Sequence, residues 1–136
     1  MLFRSGHWEF TYLDKEVISN VKDFKGDFVC QNVFVKDDAS FDYNFADFEG
    51  YNEETQRAFK PYTIKEMEGG IRVAVIGQAF PYTPIANPGR FIPDWTFGIR
   101  DAEMQATVDE VRATEKPDVV VVLSHNGMDV DLKMAS

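Results

Sequence analysis

The chain has two histidines, and each stands where an imidazole could do chemistry. His125 follows the apolar run Val119-Val120-Val121-Val122-Leu123 and precedes Asn126-Gly127. A sharp turn there presents the ring at a strand's carboxyl end, a geometry that suits a metal ligand, since neutral imidazole is the commonest protein donor to zinc, manganese or iron. Spacing alone favours the plainer reading, a histidine satisfied at a strand end or facing solvent. His7 sits in Gly6-His7-Trp8-Glu9-Phe10, where a histidine, a tryptophan and a carboxylate in succession cannot all face a core. No second ligand lies near it at metal-site spacing. Asp129 and Asp131 read as carboxylates at a helix start, favoured there by capping and the helix dipole. Asp37-Asp38 and Glu53-Glu54 read as solvated loop charge. No serine or cysteine occupies a Gly-x-Ser-x-Gly elbow. Cys30, the single cysteine, cannot form an intrachain disulfide and reads as a small buried apolar residue.

These residues belong to a chain of 136 residues, a length that fits one domain, and with 44% apolar and 14% aromatic residues it has the means to pack a core. The balance of 14 Lys+Arg against 23 Asp+Glu, a net charge of −9, argues against nucleic acid as a partner, because such binding draws on cationic side chains that neutralise phosphates. An anionic membrane surface is disfavoured for the same reason. No apolar run approaches the ~20 residues that a membrane span needs, and the first residues do not form a charged-then-apolar leader.

The elements that must position the histidines follow from periodicity. Leu13, Val17, Val21 and Phe24 fall at helical spacing, with Lys25-Gly26 as a stop. Asp27 to Val35 reads as one strand. Phe41, Tyr43, Phe45, Phe48 and Tyr51, in a polar stretch with no assigned element, are expected to cover a core edge. Tyr62–Met67 and Ile71–Gly77 flank Gly69-Gly70 as a hairpin. Phe80 to Phe97, with Pro81, Pro84, Pro88 and Pro93, is expected to be an ordered loop kept extended by its X-Pro bonds. Asp101 is expected to N-cap a helix to about Glu115, with Met104, Val108 and Val111 on one face and Lys116-Pro117 ending it. Asp118 to Leu123 then reads as a strand buried on both faces. Helix, short break, buried strand and polar loop make an α/β protein with helices on a sheet. Ligands in such sheets sit beyond the strands' carboxyl ends, where Ser124-His125-Asn126-Gly127 lies.

Two segments carry a resemblance. Gly6-His7-Trp8-Glu9-Phe10-Thr11 resembles the Gly-Asn-His-Glu-Phe-Asp motif of the 5′-nucleotidase branch of the calcineurin-like metallophosphoesterases, and Val122–Gly127 with Asp131 resembles their next motif, a strand ending in a metal-binding histidine. The Gly-His-Trp-Glu-Phe-Thr form, Gly77–Pro88, Pro93–Arg100 and Ser124–Lys133 are similar to the SoxB thiosulfohydrolase family of bacterial sulfur oxidation. That resemblance spans essentially the whole chain. It implies part of a four-layer α/β/β/α sandwich, two Mn2+ ions (with Zn2+ or another divalent metal also open) and a periplasmic enzyme. The reaction it implies is release of sulfate from a cysteine-bound thiosulfonate on the SoxYZ carrier protein. It also implies metal-ligand roles for His7, which takes the place of a metal-binding asparagine, and for His125. Trp8 stands where the phosphoesterases carry a histidine that assists the leaving group. An indole N–H is a hydrogen-bond donor and no general acid, so the resemblance gives Trp8 a substrate-site position and a substrate other than a nucleotide.

The remaining metal motifs of the family, Asp-x-His, Gly-Asp-x-x-Asp and Gly-His-x-His, do not occur. Residues 1–136 therefore read as the central part of a catalytic domain, with those motifs before residue 1 and after residue 136. The isolated chain is expected to be inactive, and the loop from Phe80 to Phe97 is a candidate entrance for the carrier, a role that charge swaps at Arg90 within it and Arg100 just after it would test. The alternatives are a 5′-nucleotidase-like phosphoesterase and a non-catalytic remnant domain.

Overall fold

A computed structural model describes residues 3–4, 8–39 and 48–136, with the backbone alone at 3, 4 and 8. In chain order the elements are β1 (Phe3–Arg4), a 3-10 turn (Trp8–Thr11), α1 (Asp14–Asp23), β2 (Asp27–Phe28), β3 (Phe34–Val35), β4 (Tyr62–Glu66), β5 (Arg72–Gln78), α2 (Thr83–Ala86), a second 3-10 turn (Gly89–Phe91), β6 (Trp95–Thr96), α3 (Asp101–Thr114), β7 (Val119–Ser124) and α4 (Met128–Met134). The largest sheet has the order β4-β5-β7. Its hairpin is the expected one: Tyr62 faces Ile76 and Glu66 faces Arg72 across antiparallel strands, joined at Gly69 and Gly70, whose φ of +88° and +78° lie in the left-handed region that glycine tolerates best. From β5 the chain passes through α2 and α3 and returns as β7, parallel to β5 with Val73 opposite Val119 and Gln78 opposite Ser124. This is a strand–helix–strand crossover, in keeping with the α/β layout read from the sequence.

The expected single strand over Asp27–Val35 is two short pieces. β2 pairs with β1 and β3 with β6, and between them the backbone turns through Gln31 and Asn32, both wholly buried. Here the chain crosses the end of β5: Gln31 N donates to Gly77 O at 2.8 Å and Cys30 N to Lys60 O at 2.8 Å. Gly77 permits the crossing, because a Cβ built on it falls 1.9 Å from Val29 O. Around the crossing lies an aromatic core in which Phe10, Phe59 and Trp95 pack edge to face at 5.2–6.2 Å, joined by Val17, Phe28, Cys30, Val33 and Phe48. Phe48 and Tyr51 meet the expectation of a core edge; Phe41, Tyr43 and Phe45 lie outside the described residues.

Helix α3 matches its expected span, with two corrections. The residue ahead of it is Arg100, in a left-handed conformation (φ 52°) with no side-chain cap, so Asp101 is the first helical residue and contributes through the dipole. Its buried face is Met104, Thr107 and Val111. Thr107 is accommodated because its hydroxyl donates to Glu103 O at 2.8 Å and accepts from Arg57 Nη2 at 2.9 Å. At the far end, Glu115 N and Lys116 N both reach Val111 O, and Pro117 prevents continuation.

The largest departure is β7. Expected to be buried on both faces, it leaves Val119, Val121 and Val122 exposed by 47, 40 and 43%. Among the described residues only β5 pairs with it. An unbroken apolar run records what a strand is suited to face, and here one edge and much of its surface face solvent.

Candidate functional site

Beyond the paired ends of β5 and β7, Gln78-Ala79-Phe80 and Ser124–Gly127 form the carboxyl edge of the sheet, where ligand crevices of α/β proteins lie. His125 sits there with its side chain exposed. Its backbone N–H donates to Gln78 O at 3.0 Å, continuing the β5–β7 ladder one step past the strand, and its ring stands edge-on to Phe80 with centroids 6.0 Å apart. The turn is closed from beneath: Ser124 Oγ donates to Asp131 Oδ1 at 2.6 Å, Asn126 Nδ2 donates to the same oxygen at 3.1 Å, and Asn126 N donates to Ser124 Oγ at 3.1 Å. Asp129 and Asp131 lie in the first turn of α4, as expected, yet Asp131 spends its carboxylate on the preceding turn and makes no side-chain cap. A groove of about 330 Å³ between α3, β7 and α4, with Met104, Val108, Val122 and Met134 in its walls, opens beside Ser124 and Asp131.

His7 lies outside the described residues. Trp8 begins the first 3-10 turn; two residues on, Phe10 is wholly buried. Glu9 lines a second cavity, of about 240 Å³, with Tyr12, Val17 and Phe28.

The loop from Phe80 to Phe97 is ordered, but its prolines also start helical turns: Pro84 lies at the start of α2 and Pro88 precedes the second 3-10 turn. Trp95 packs in the core while Tyr82 and Ile85 are exposed by 46 and 82%, so only part of this loop is available to a partner. Arg100 is committed to structure, its guanidinium 4.3 Å over the Phe34 ring and its Nη2 donating to Thr96 Oγ1 at 3.0 Å. Arg90 remains exposed.

Sequence reasoning missed Gln31, Asn32 and Gln78, whose buried amides hold this edge together. The available signal was a Gln-Asn pair inside the apolar stretch Val29–Val35 and a glutamine ending the apolar β5.

No protein-family model matches the chain. Protein UshA of Yersinia enterocolitica is 37% identical over 79 residues, 57% of this chain and 14% of that protein. The sulfate thiohydrolase SoxB of Thermus thermophilus superposes with a TM-score of 0.79 at 28% identity, covering 98% of this chain and 21% of SoxB. The fold is that of the metallophosphoesterases. A 5′-nucleotidase precursor, also from Thermus thermophilus, gives a TM-score of 0.69 at 29% identity over 96% of the chain and 22% of its own. The calcineurin-like phosphoesterase YfkN of Bacillus subtilis, at 21% identity and a TM-score of 0.65, shares the fold. The structural neighbours are thus hydrolases, and this chain spans about a fifth of the length of the first two. No helix among the described residues is long and apolar enough to cross a membrane.

For the metal that this fold implies, His125 has the right donor chemistry for one position, an exposed imidazole on a hydrogen-bonded turn. No group of three or more His, Cys, Asp or Glu side chains that could hold a metal ion occurs among the described residues. As a set they are too few for a two-cation centre, which draws on several carboxylates and imidazoles.

Proposed function

We propose that this chain is the central part of the catalytic domain of a metal-dependent hydrolase that releases sulfate from a cysteine-bound thiosulfonate on the SoxYZ carrier protein in the periplasm. The observation that carries the reading is the superposition on SoxB over 98% of the chain at a TM-score of 0.79; the resemblance adds that Trp8 stands where the phosphoesterases carry a proton-donating histidine. In this reading His7 and His125 are metal ligands contributed by this chain, with further ligands outside the described residues. His7 and His125 would each give one ligand to a pair of divalent cations, manganese by the resemblance, which would lower the pKa of a bound water and offset negative charge on the substrate's oxygens. The chain's own part is to hold His125 at the sheet edge and to place Trp8 beside the substrate. A persulfide sulfur leaves as a thiolate-type anion, whose proton demand is lower than that of an alkoxide, so a residue without acid function can stand at position 8.

A second reading is favoured by one observation: the 5′-nucleotidase precursor is 29% identical, level with SoxB. The two are separated by assaying the encoded polypeptide that contains this chain, with manganese, for sulfate release from a carrier-bound thiosulfonate and phosphate release from a nucleoside monophosphate. Sulfate without phosphate is the expected result. Phosphate alone assigns the nucleotidase reading, and neither product assigns a non-catalytic remnant.

A further inference from the structure

The turn that carries His125 is tied to the protein interior by a file of buried amides. Gln31 and Gln78 are wholly buried and Asn126 is 7% exposed, a placement polar side chains tolerate when hydrogen-bonded. Gln31 Nε2 donates to Gln78 Oε1 at 2.6 Å; Gln78 Nε2 donates to Asn126 Oδ1 at 3.1 Å and to Ile99 O at 2.8 Å; Asn126 Nδ2 donates to Asp131 Oδ1 at 3.1 Å. All the donors point one way. A carboxylate only accepts, so Asp131 requires the NH2 of Asn126, Asn126 then presents its oxygen to Gln78, and Gln78, with Ile99 O beside it, turns its own oxygen to Gln31. Reversing either inner amide would set NH2 against NH2 or oxygen against oxygen. At the buried start of the file, Gln31 Oε1 has no hydrogen-bond partner, so the file ends there.

Gln78 therefore grips the turn on both sides of His125. Its backbone oxygen accepts the His125 N–H and its side chain holds Asn126. Strand pairing accounts for the first bond. It does not call for the second, nor for a file of amides reaching a segment 47 residues away in sequence.

We propose that Gln78 is a positioning residue for His125: the polarised file Gln31–Gln78–Asn126–Asp131 fixes the turn that presents the imidazole against Phe80 at the sheet edge. The inference rests on the reading of His125 as a working group of a hydrolase site.

The test is the ring 1H–13C spectrum of the full chain, in which two histidines give two sets of signals and His125→Gln identifies those of His125. The Phe80 ring at 6.0 Å displaces those signals from free-histidine values. In Gln78→Met, close in shape but without the amide, the displacement is expected to be lost while signals from the aromatic core stay in place. Asn126→Asp, which sets two carboxylates together, is expected to move the His125 signals, and adding Asp131→Asn, which restores one donor and one acceptor, is expected to return them. A folded Gln78→Met chain with unmoved His125 signals would overturn the proposal; if that variant does not fold, an unmoved Asn126→Asp spectrum or an unrescued double variant would overturn it. The donor reading is decided separately, by manganese content of the encoded polypeptide that contains this chain with and without His125→Gln: equal content in both would defeat the donor reading and leave the positioning result standing.

Discussion

Cys30 is wholly buried, and burial pushes its thiol from 9.0 up to about 12, against the lowering effect of hydrogen bonds with the backbone of Ala79, Asn32 and Val33. The unfolded chain releases this proton from about pH 9 while the folded chain keeps it, so the unfolded state binds fewer protons and stability falls as pH rises. The expected loss is on the order of 1 kcal/mol per pH unit between pH 9 and about 12. Urea denaturation across that window should show the slope, and Cys30→Ala should flatten it. Thiol reagents at neutral pH should modify Cys30 only when the chain unfolds. The sequence revealed Cys30 as a buried apolar residue because its neighbours are apolar. It did not reveal Gln31, Asn32 and Gln78, because the apolar residues around them hint at burial but their partners lie far along the chain. Gly77 was equally silent. Its missing side chain matters only because Val29 O occupies the space, and Gly77→Ala is expected to cost about 3 kcal/mol, the upper range for overpacking, read as a lower urea midpoint at unchanged slope.

Elements were legible where local chemistry decides them. The 62–78 hairpin follows from strand alternation around two glycines, and α1 and α3 from helical spacing and their stops. Failures occurred where tertiary contacts override the local pattern. The Asp27–Val35 strand breaks because the chain must cross the end of β5, and Thr107 enters the α3 core face because Glu103 and Arg57 satisfy its hydroxyl. The loop from Phe80 to Phe97 divides between roles that composition does not distinguish. Trp95, 2% exposed between Phe10 and Phe59, is expected to cost about 3–5 kcal/mol on truncation to alanine. Tyr82→Ala, at a 46% exposed position, should shift stability by less than about 1 kcal/mol. Thermal denaturation of the pair checks this division, and if carrier docking uses the loop it is Tyr82 and Arg90, with Trp95 supporting from within, that should alter carrier turnover.

For the molecule as a whole, β7 sets the behaviour of the chain. A six-residue strand without a charged side chain, paired on one edge only among the described residues, is a template for further pairing. The chain is expected to self-associate despite its net charge of −9, and Val121→Lys should shift sedimentation toward the monomer with little change in stability. That strand also carries the functional argument, since its carboxyl end places His125 at the edge where this fold class binds ligands. The sequence placed His125 at a strand's carboxyl end through one strand and one turn, and the structure puts it at the β5–β7 edge; in the proposed reading the remaining metal ligands lie outside the described residues. The most direct measurement is therefore the manganese content of the encoded polypeptide that contains this chain, with and without His125→Ala. The account expects the substitution to remove bound manganese from a protein that otherwise folds. Equal manganese in both would contradict it.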